Sequence, residues 1–535
     1  MPKLNIFNPC VILQLICFAG LCIGSTECQS SNEVPTTSGL VVGIPATALL
    51  PVVQFLSIPY ASPPVGNLRF APPQPFTFDG IIQANELPPY CVQPSNVTYS
   101  EDCLYLNIYV PQKSTVSPKP VMFWIHGGSF LTGGSSDPAF NGSFLAQNED
   151  VIVVTTNYRL GFLGFYDSAV TGTNFGLQDV IAALQWVQNN IAQFGGNPQQ
   201  VTVFGESSGA TMIRALLTSP RASNKFVRAI LQSDPQNYDA NYQNVSRGVL
   251  SPYLDQLVGC SSSSTQCLRS LPIDTILAAE INTNITLLPG VNTVYPFGPN
   301  IDNEFISTRF GVAVEEGTLQ NDVDIILGFV KDETASTLSV EFPQPINQQI
   351  YEEFLIYSFG EQGAQAIVES QLFSTEISPS INGGGYIQQL EVTGTEYDFS
   401  CPIQLNAGRL ATKQQHFVYT YEFLEGIQYP DNVGAYLCEE TGAVCHEDDL
   451  YLIFGTYPTT ATSSQISLSN QIQARWAAFA STGNPNTGNF GGWAPAASLS
   501  NLNLFLFGNG TSVAEVDSAQ CNFFETNDIP FSWEV

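Results

Sequence analysis

Short β-branched and aromatic runs punctuate this chain, each giving way to a turn and then an amphipathic stretch: VMFWI at 121–125, VIVVTT at 151–156, VTVF at 201–204, RAILQS at 228–233, VDIILGF at 323–329, HFVYTYEF at 416–423 and LNLFLF at 502–507. Runs that are apolar on both faces predict strands buried on both sides. Between the second and third, Leu177, Val180, Ile181, Leu184, Val187 and Ile191 recur at helical spacing, with Gly195 and Gly196 as a stop signal. Strand and helix alternating in this way predict an α/β protein built on a large, mostly parallel central sheet flanked by helices. No repeat and no Pro/Ser-rich linker interrupts the pattern, and the serine run 261–264 is the one low-complexity patch.

The amino end changes where the chain is expected to work. Lys3, an apolar run from Val11 to Ile23, and small or polar residues from Gly24 to Ser31 read as a signal peptide over 1–24. The run is too short for the ~20 residues that a bilayer-spanning helix needs, so no membrane anchor is expected, and the mature chain should be secreted and extracellular. Cys10, Cys17, Cys22 and Cys28 fall in or beside that segment, leaving an even set of eight, Cys91, Cys103, Cys260, Cys267, Cys401, Cys438, Cys445 and Cys521. Close pairs without CxxC-and-histidine spacing suggest disulfides rather than a metal site. Sequons at Asn96, Asn141, Asn244, Asn284 and Asn509 are glycosylation candidates in an exported chain. With 47 acidic and 16 basic residues the formal net charge is −31, which repels nucleic acid.

The chemistry concentrates in a few segments. GESSG at 205–209 fits the nucleophile elbow G-x-S-x-G, with the strand VTVF entering and a helix leaving, which puts Ser207 at the apex. A serine hydroxyl needs a base, and the chain has three histidines. His416 falls in a strand-like run, and His126 opens the glycine-rich turn HGGSF. His446, in the polar segment CHEDDLYLIFG near the end of the chain, is left as the general base. The backbone N–H groups of Gly128, Ser129 and Ser208 are the expected oxyanion donors, each such donor being worth about 3–4 kcal/mol. No cofactor or metal is required.

These segments resemble the type B carboxylesterase family, which includes cholinesterases and fungal lipases: EDCLYLNIYVP at 101–111, WIHGGSF at 124–130, NYRLGFLGF at 157–165, GLQDVIAALQWVQNNIAQFGGNP at 176–198, VTVFGESSGA at 201–210 and FASTGNPN at 479–486. The resemblance implies one α/β-hydrolase domain over 30–535. It also implies a catalytic acid at Glu333 in GFVKDETAS, with Asp332 as competitor. Further implications are disulfides Cys91–Cys103, Cys260–Cys267 and Cys401–Cys521, structural ion pairs Arg69–Glu101 and Arg159–Asp179, and acyl-pocket aromatics at Tyr295 and Phe297. Cys438 and Cys445 have no necessary family counterpart, yet would clamp the loop before His446.

The chain departs from the family pattern at Ser129, where a third glycine is usual, at Ser208, where alanine is usual, and at Asp234, which replaces a frequent glycine. Ser233 matches a serine that resembles the family's partner of the acid. The expected function is hydrolysis of a small-molecule carboxylic ester through an acyl-enzyme, carried out by Ser207, His446 and Glu333. The alternatives are a lipase acting on water-insoluble esters and an inactive adhesion or binding relative. Only eleven residues, VQPSNVTYSED, separate Cys91 from Cys103, too few and too polar for an amphipathic lid. They also offer Tyr99 but no tryptophan for a quaternary ammonium, which disfavours cholinesterase activity.

Overall fold

The computed structural model describes residues 32–112, 118–238, 240–261, 264–283, 288, 291, 295–373, 385–440, 442–508, 513–514, 519–527 and 529–531. The segment read as a signal peptide, the four cysteines in or beside it, and the sequons at Asn284 and Asn509 lie outside them.

The central sheet has ten strands, β1 Val52–Pro59, β2 Tyr105–Pro111, β3 Lys119–Ile125, β4 Ile152–Thr156, β5 Gly196–Glu206, β6 Arg228–Gln232, β7 Asp324–Val330, β8 Val418–Phe423, β9 Leu504–Phe507 and β10 Val513–Ala514. Their spatial order is β10-β9-β8-β7-β6-β5-β3-β4-β2-β1. Pairing is parallel from β4 through β9, while β1, β2 and β10 add antiparallel edges. All seven apolar runs fall on strands. Alternate residues serve opposite faces: Val121, Phe123, Ile125, Val203 and Leu231 join one core cluster, and Met122, Trp124, Phe204 and Ile230 the other. Burial on both faces is what makes these strands read as continuous apolar runs.

The helical periodicity also holds, as α1 Phe175–Asn190, which passes into a short 3₁₀ turn and stops at Gly195 with φ 85°. The run at 416–423 is longer than its strand: β8 begins at Val418, and His416 lies just before it, exposed, with Nδ1 3.3 Å from Asp324 Oδ1. His416 borders a surface hollow of about 460 Å³ at the amino ends of β5 to β8. Parallel strands place their carboxyl ends on the opposite edge, and ligands of open α/β sheets bind there.

Four disulfides close as Cys91–Cys103, Cys260–Cys267, Cys401–Cys521 and Cys438–Cys445. Arg69 grips Glu101 and Arg159 grips Asp179, each through two side-chain hydrogen bonds. Among the described residues no helix is long and apolar enough to cross a membrane. Asn96 and Asn244 are exposed, whereas Asn141 is half-buried and its Oδ1 accepts the Ser143 N–H.

Candidate active site

Ser207 stands between β5 and the helix α2 Ser208–Leu217, at φ 55° and ψ −126°. Left-handed φ is costly for any residue with a Cβ, and here the surroundings enforce it. The flanking glycines are required by space: a Cβ on Gly205 would lie 2.7 Å from the Ile125 carbonyl oxygen, and one on Gly209 2.1 Å from it. The elbow is therefore pressed against the end of β3. The same crowding fixes Gly127, whose Cβ would lie 2.7 Å from Glu206 Oε2 and 3.1 Å from the Ser207 Cβ.

From that end of β3 the chain turns through Gly128 at φ 99°, Ser129 at φ 56° and Phe130 at φ 60°. The Phe130 N–H donates to Ser208 Oγ at 3.2 Å, and the N–H groups of Leu131 and Thr132 close on the Gly128 carbonyl. Among the described residues the N–H groups of Gly128, Ser129 and Ser208 donate to no protein acceptor. These are the three donors assigned to the oxyanion from the sequence. Ser208 does more than tolerate a position usually held by alanine: its hydroxyl accepts the Phe130 N–H and lies near Tyr158, whose own hydroxyl donates to the His126 carbonyl at 3.0 Å. His126 stacks on Tyr158 at 4.5 Å, and burial lowers its pKa to about 4, so it shapes this loop as a neutral ring.

Glu333 follows β7, and His446 directly follows the loop closed by the Cys438–Cys445 disulfide. The His446 Nδ1 is 2.5 Å from Glu333 Oε2, while Glu333 Oε1 accepts the Val330 N–H at 2.9 Å. Asp332 is committed elsewhere, its carboxylate accepting the Val444 N–H and its own N–H bonding the Val444 carbonyl. It thereby docks the histidine loop against the end of β7, and Glu333 is the carboxylate that meets the imidazole. Ser207 and His446 are not joined by a hydrogen bond. The His446 Nε2 instead lies 3.0 Å from Glu206 Oε1, an ion-pair contact off the hydrogen-bond line, and the Tyr295 hydroxyl lies near Ser207. Burial alone would lower the His446 pKa, but Glu206 and Glu333 outweigh it and hold the value well above 6.5.

The two aromatics at 295 and 297 are buried, and the Tyr295 ring meets Phe130 edge-on at 5.2 Å. Asp234, whose presence the sequence did not explain, pairs with Arg214 of α2 at 2.9 Å in the fully buried space beneath the elbow and accepts from Thr211. Ser233 does not reach the acid: its hydroxyl is buried without a hydrogen-bond partner among the described residues, on a backbone φ of 46°. Glu206 was missed by the sequence reading. Its only signal was a carboxylate next to the nucleophile in GESSG.

The sequence profile described as the carboxylesterase family matches residues 30–524. The chain belongs to the carboxylesterase family. Carboxylesterase 1D of Rattus norvegicus is 31% identical over 480 residues, covering 83% of each chain. A solved PNB esterase superposes with a TM-score of 0.76 at 28% identity, covering 92% of this chain and 98% of the other, so the sheet and its helices have the α/β-hydrolase fold. The carboxylesterase relatives also include Neuroligin-2 of Homo sapiens, 30% identical over 541 residues and matched over 87% of this chain and 62% of its own length. Family membership thus spans proteins not named as enzymes, and activity depends on what the site itself holds.

Proposed function

We propose that this protein is a secreted serine carboxylesterase, built as one α/β-hydrolase domain, that cleaves small-molecule carboxylic esters through an acyl-enzyme. Ser207 Oγ attacks the ester carbonyl while His446 Nε2 accepts the serine proton, and Glu333 holds the Nδ1–H and faces the imidazolium that forms. The oxyanion settles on the N–H groups of Gly128, Ser129 and Ser208. His446 returns the proton to the departing alcohol, and water, deprotonated by the same imidazole, then cleaves the acyl group from Ser207.

The observation that carries this reading is the 2.5 Å contact of His446 Nδ1 with Glu333, which turns Nε2 toward the elbow where three backbone N–H groups lack acceptors. The Nε2 contact with Glu206 in the resting geometry must open or be shared for the proton to move, as catalytic hydrogen bonds often tighten only with substrate bound. Four disulfides and the eight even cysteines support an oxidising, extracellular setting.

The test is p-nitrophenyl acetate turnover by the purified protein. Ser207→Ala and His446→Ala are each expected to lose roughly 10³- to 10⁶-fold, with His416→Ala unaffected. Fluorophosphonate labelling should be confined to the peptide containing Ser207. Activity retained in His446→Ala would refute the assignment of the base.

A further inference from the structure

Beyond the triad, the site wall contains a carboxyl group that the hydrolysis does not use. Asp398 precedes Phe399, whose ring meets the His446 ring edge-on at 5.5 Å, so the segment borders the base directly. From the other side a second path reaches the same residue: Tyr295 lies near Ser207, its ring meets Tyr238 at 6.5 Å, and the Tyr238 phenol lies beside the Asp398 carboxyl. Asn237 completes the holder, its Nδ2 donating to Asp398 Oδ1 and its N–H to the Asp398 carbonyl, both at 3.3 Å. The segment that carries Asn237 and Tyr238 is itself braced from beneath, because Arg214 is fixed by Asp234 and donates to the Tyr238 carbonyl at 2.8 Å.

Among the described residues no lysine, arginine or histidine forms an ion pair with this carboxyl, although it lies in the interior and burial pushes its pKa up to about 7. It is half-buried, while Asn237 and Phe399 beside it are buried. A carboxylate offers about four acceptor positions, and Asn237 occupies one, with the Tyr238 phenol nearby. An interior polar group with unused capacity is costly unless a partner supplies the missing donor.

We infer that Asp398, held by Asn237 beside Tyr238, is a specificity subsite that reads a hydrogen-bond donor at the far end of the substrate's acyl group, the fitting class being esters of hydroxylated aryl acids. The inference rests on the esterase reading above. The aromatic walls of Tyr295 and Tyr238 flank an acyl ring, and a ring hydroxyl donates to Asp398. An otherwise identical acyl group without the hydroxyl leaves the carboxyl against apolar atoms, which is how polar sites reject analogues far more strongly than apolar pockets do.

The experiment compares kcat/KM for methyl 4-hydroxycinnamate and methyl cinnamate on the full-length secreted protein, beside p-nitrophenyl acetate. The expected preference for the hydroxylated ester is tenfold or more, falling to about onefold in Asp398→Leu and by an intermediate amount in Tyr238→Phe. Because each value is a ratio on one preparation, partial misfolding of a variant does not affect it. A wild-type ratio below two, inertness of both cinnamates, or an undiminished preference in Asp398→Leu overturns the inference while p-nitrophenyl acetate is still cleaved. If p-nitrophenyl acetate is not cleaved either, it is the esterase reading that has failed.

Discussion

Ser208 and Ser129 depart from the family pattern together, and the structure couples them through the Phe130 N–H. Replacing Ser208 with alanine deletes the acceptor of a donor that belongs to a fully buried residue. An unpaired buried N–H costs about 1–3 kcal/mol. The loop already carries Ser129 at φ 56°, a conformation worth roughly 1–2 kcal/mol of strain for a residue with a Cβ. Relaxation is easiest there, at the cleft, and it would move the N–H groups of Gly128 and Ser129 away from the oxyanion. If the whole cost falls on the transition state, kcat drops by about 5- to 150-fold, since 1.36 kcal/mol is tenfold. KM should change little, because the donors bind the oxyanion more strongly than the ground-state carbonyl. Steady-state hydrolysis of p-nitrophenyl acetate gives both constants, and adding Ser129→Gly to Ser208→Ala should recover about fivefold or more by removing the strain. A Ser208→Ala enzyme with kcat within twofold of wild type and an unchanged melting temperature would refute the coupling.

Three other outcomes follow from the same geometry. Cys438–Cys445 and Cys260–Cys267 each close loops of sequence separation 7, so replacing either pair with serine should cost a similar 2–3 kcal/mol of stability. Only the first should also lower kcat, because it restrains the loop that leads directly into His446, and equal kcat losses would count against that role. His446 must be neutral to act as base, and Glu206 and Glu333 hold its pKa well above 6.5, so kcat/KM should rise with pH through that raised value; Glu206→Gln removes one carboxylate and should move the acid limb to lower pH, an unmoved limb contradicting the argument. The loop between Cys91 and Cys103 is bound to the oxyanion loop, Gln93 exchanging two hydrogen bonds with Gly133, so this loop does not open as a lid, and the rate on short-chain triglycerides should show no jump at their solubility limit.

What the sequence disclosed, and what it withheld, divides along the range of the interaction. The strands, α1 and the elbow were legible because burial on two faces, helical spacing and close backbone approach each constrain residues near one another in the chain. The end of the run at 416–423 was not, since Phe417 keeps the alternation yet spends its N–H on the Asp324 side chain, so the pattern outlasts the ladder. Glu333 could be read from a motif, but its preference over Asp332 depended on what the loop at 444 takes from each. Asp234 stood out only as a departure from the family pattern and Arg214 not at all, and their meaning lies in a buried pair twenty residues apart. Asp398 meets Asn237 across 161 residues and belongs to no motif. Ser208 looked like a neutral exchange because its side-chain direction, toward the loop rather than the cleft, is set by tertiary packing.

The acids around the base raise a question that composition alone poses badly. HEDD at 446–449 and Glu206 put four carboxyls besides Glu333 near one imidazole, and five negative charges there would hold a proton too tightly for a base. Their surroundings separate them. Asp448 is spent on the backbone, accepting the N–H groups of Tyr429 and Cys445, and so fixes the turn. Burial raises Glu447 and Asp449 well above the ordinary carboxyl range, with the charge of Glu206 adding to the effect, which favours their neutral forms. Glu206 and Glu333 are then the two that raise the imidazole. They act on different nitrogens, and only Glu333 can stay in place throughout a turnover, because Nε2 must face Ser207 when the proton moves. Glu206 therefore stabilises the imidazolium of the resting enzyme at the nitrogen that must be vacant for attack. Its removal should strengthen catalysis on the acid side and leave the rate little changed where His446 is already neutral, and a merely structural role for Glu206 would not move the acid limb.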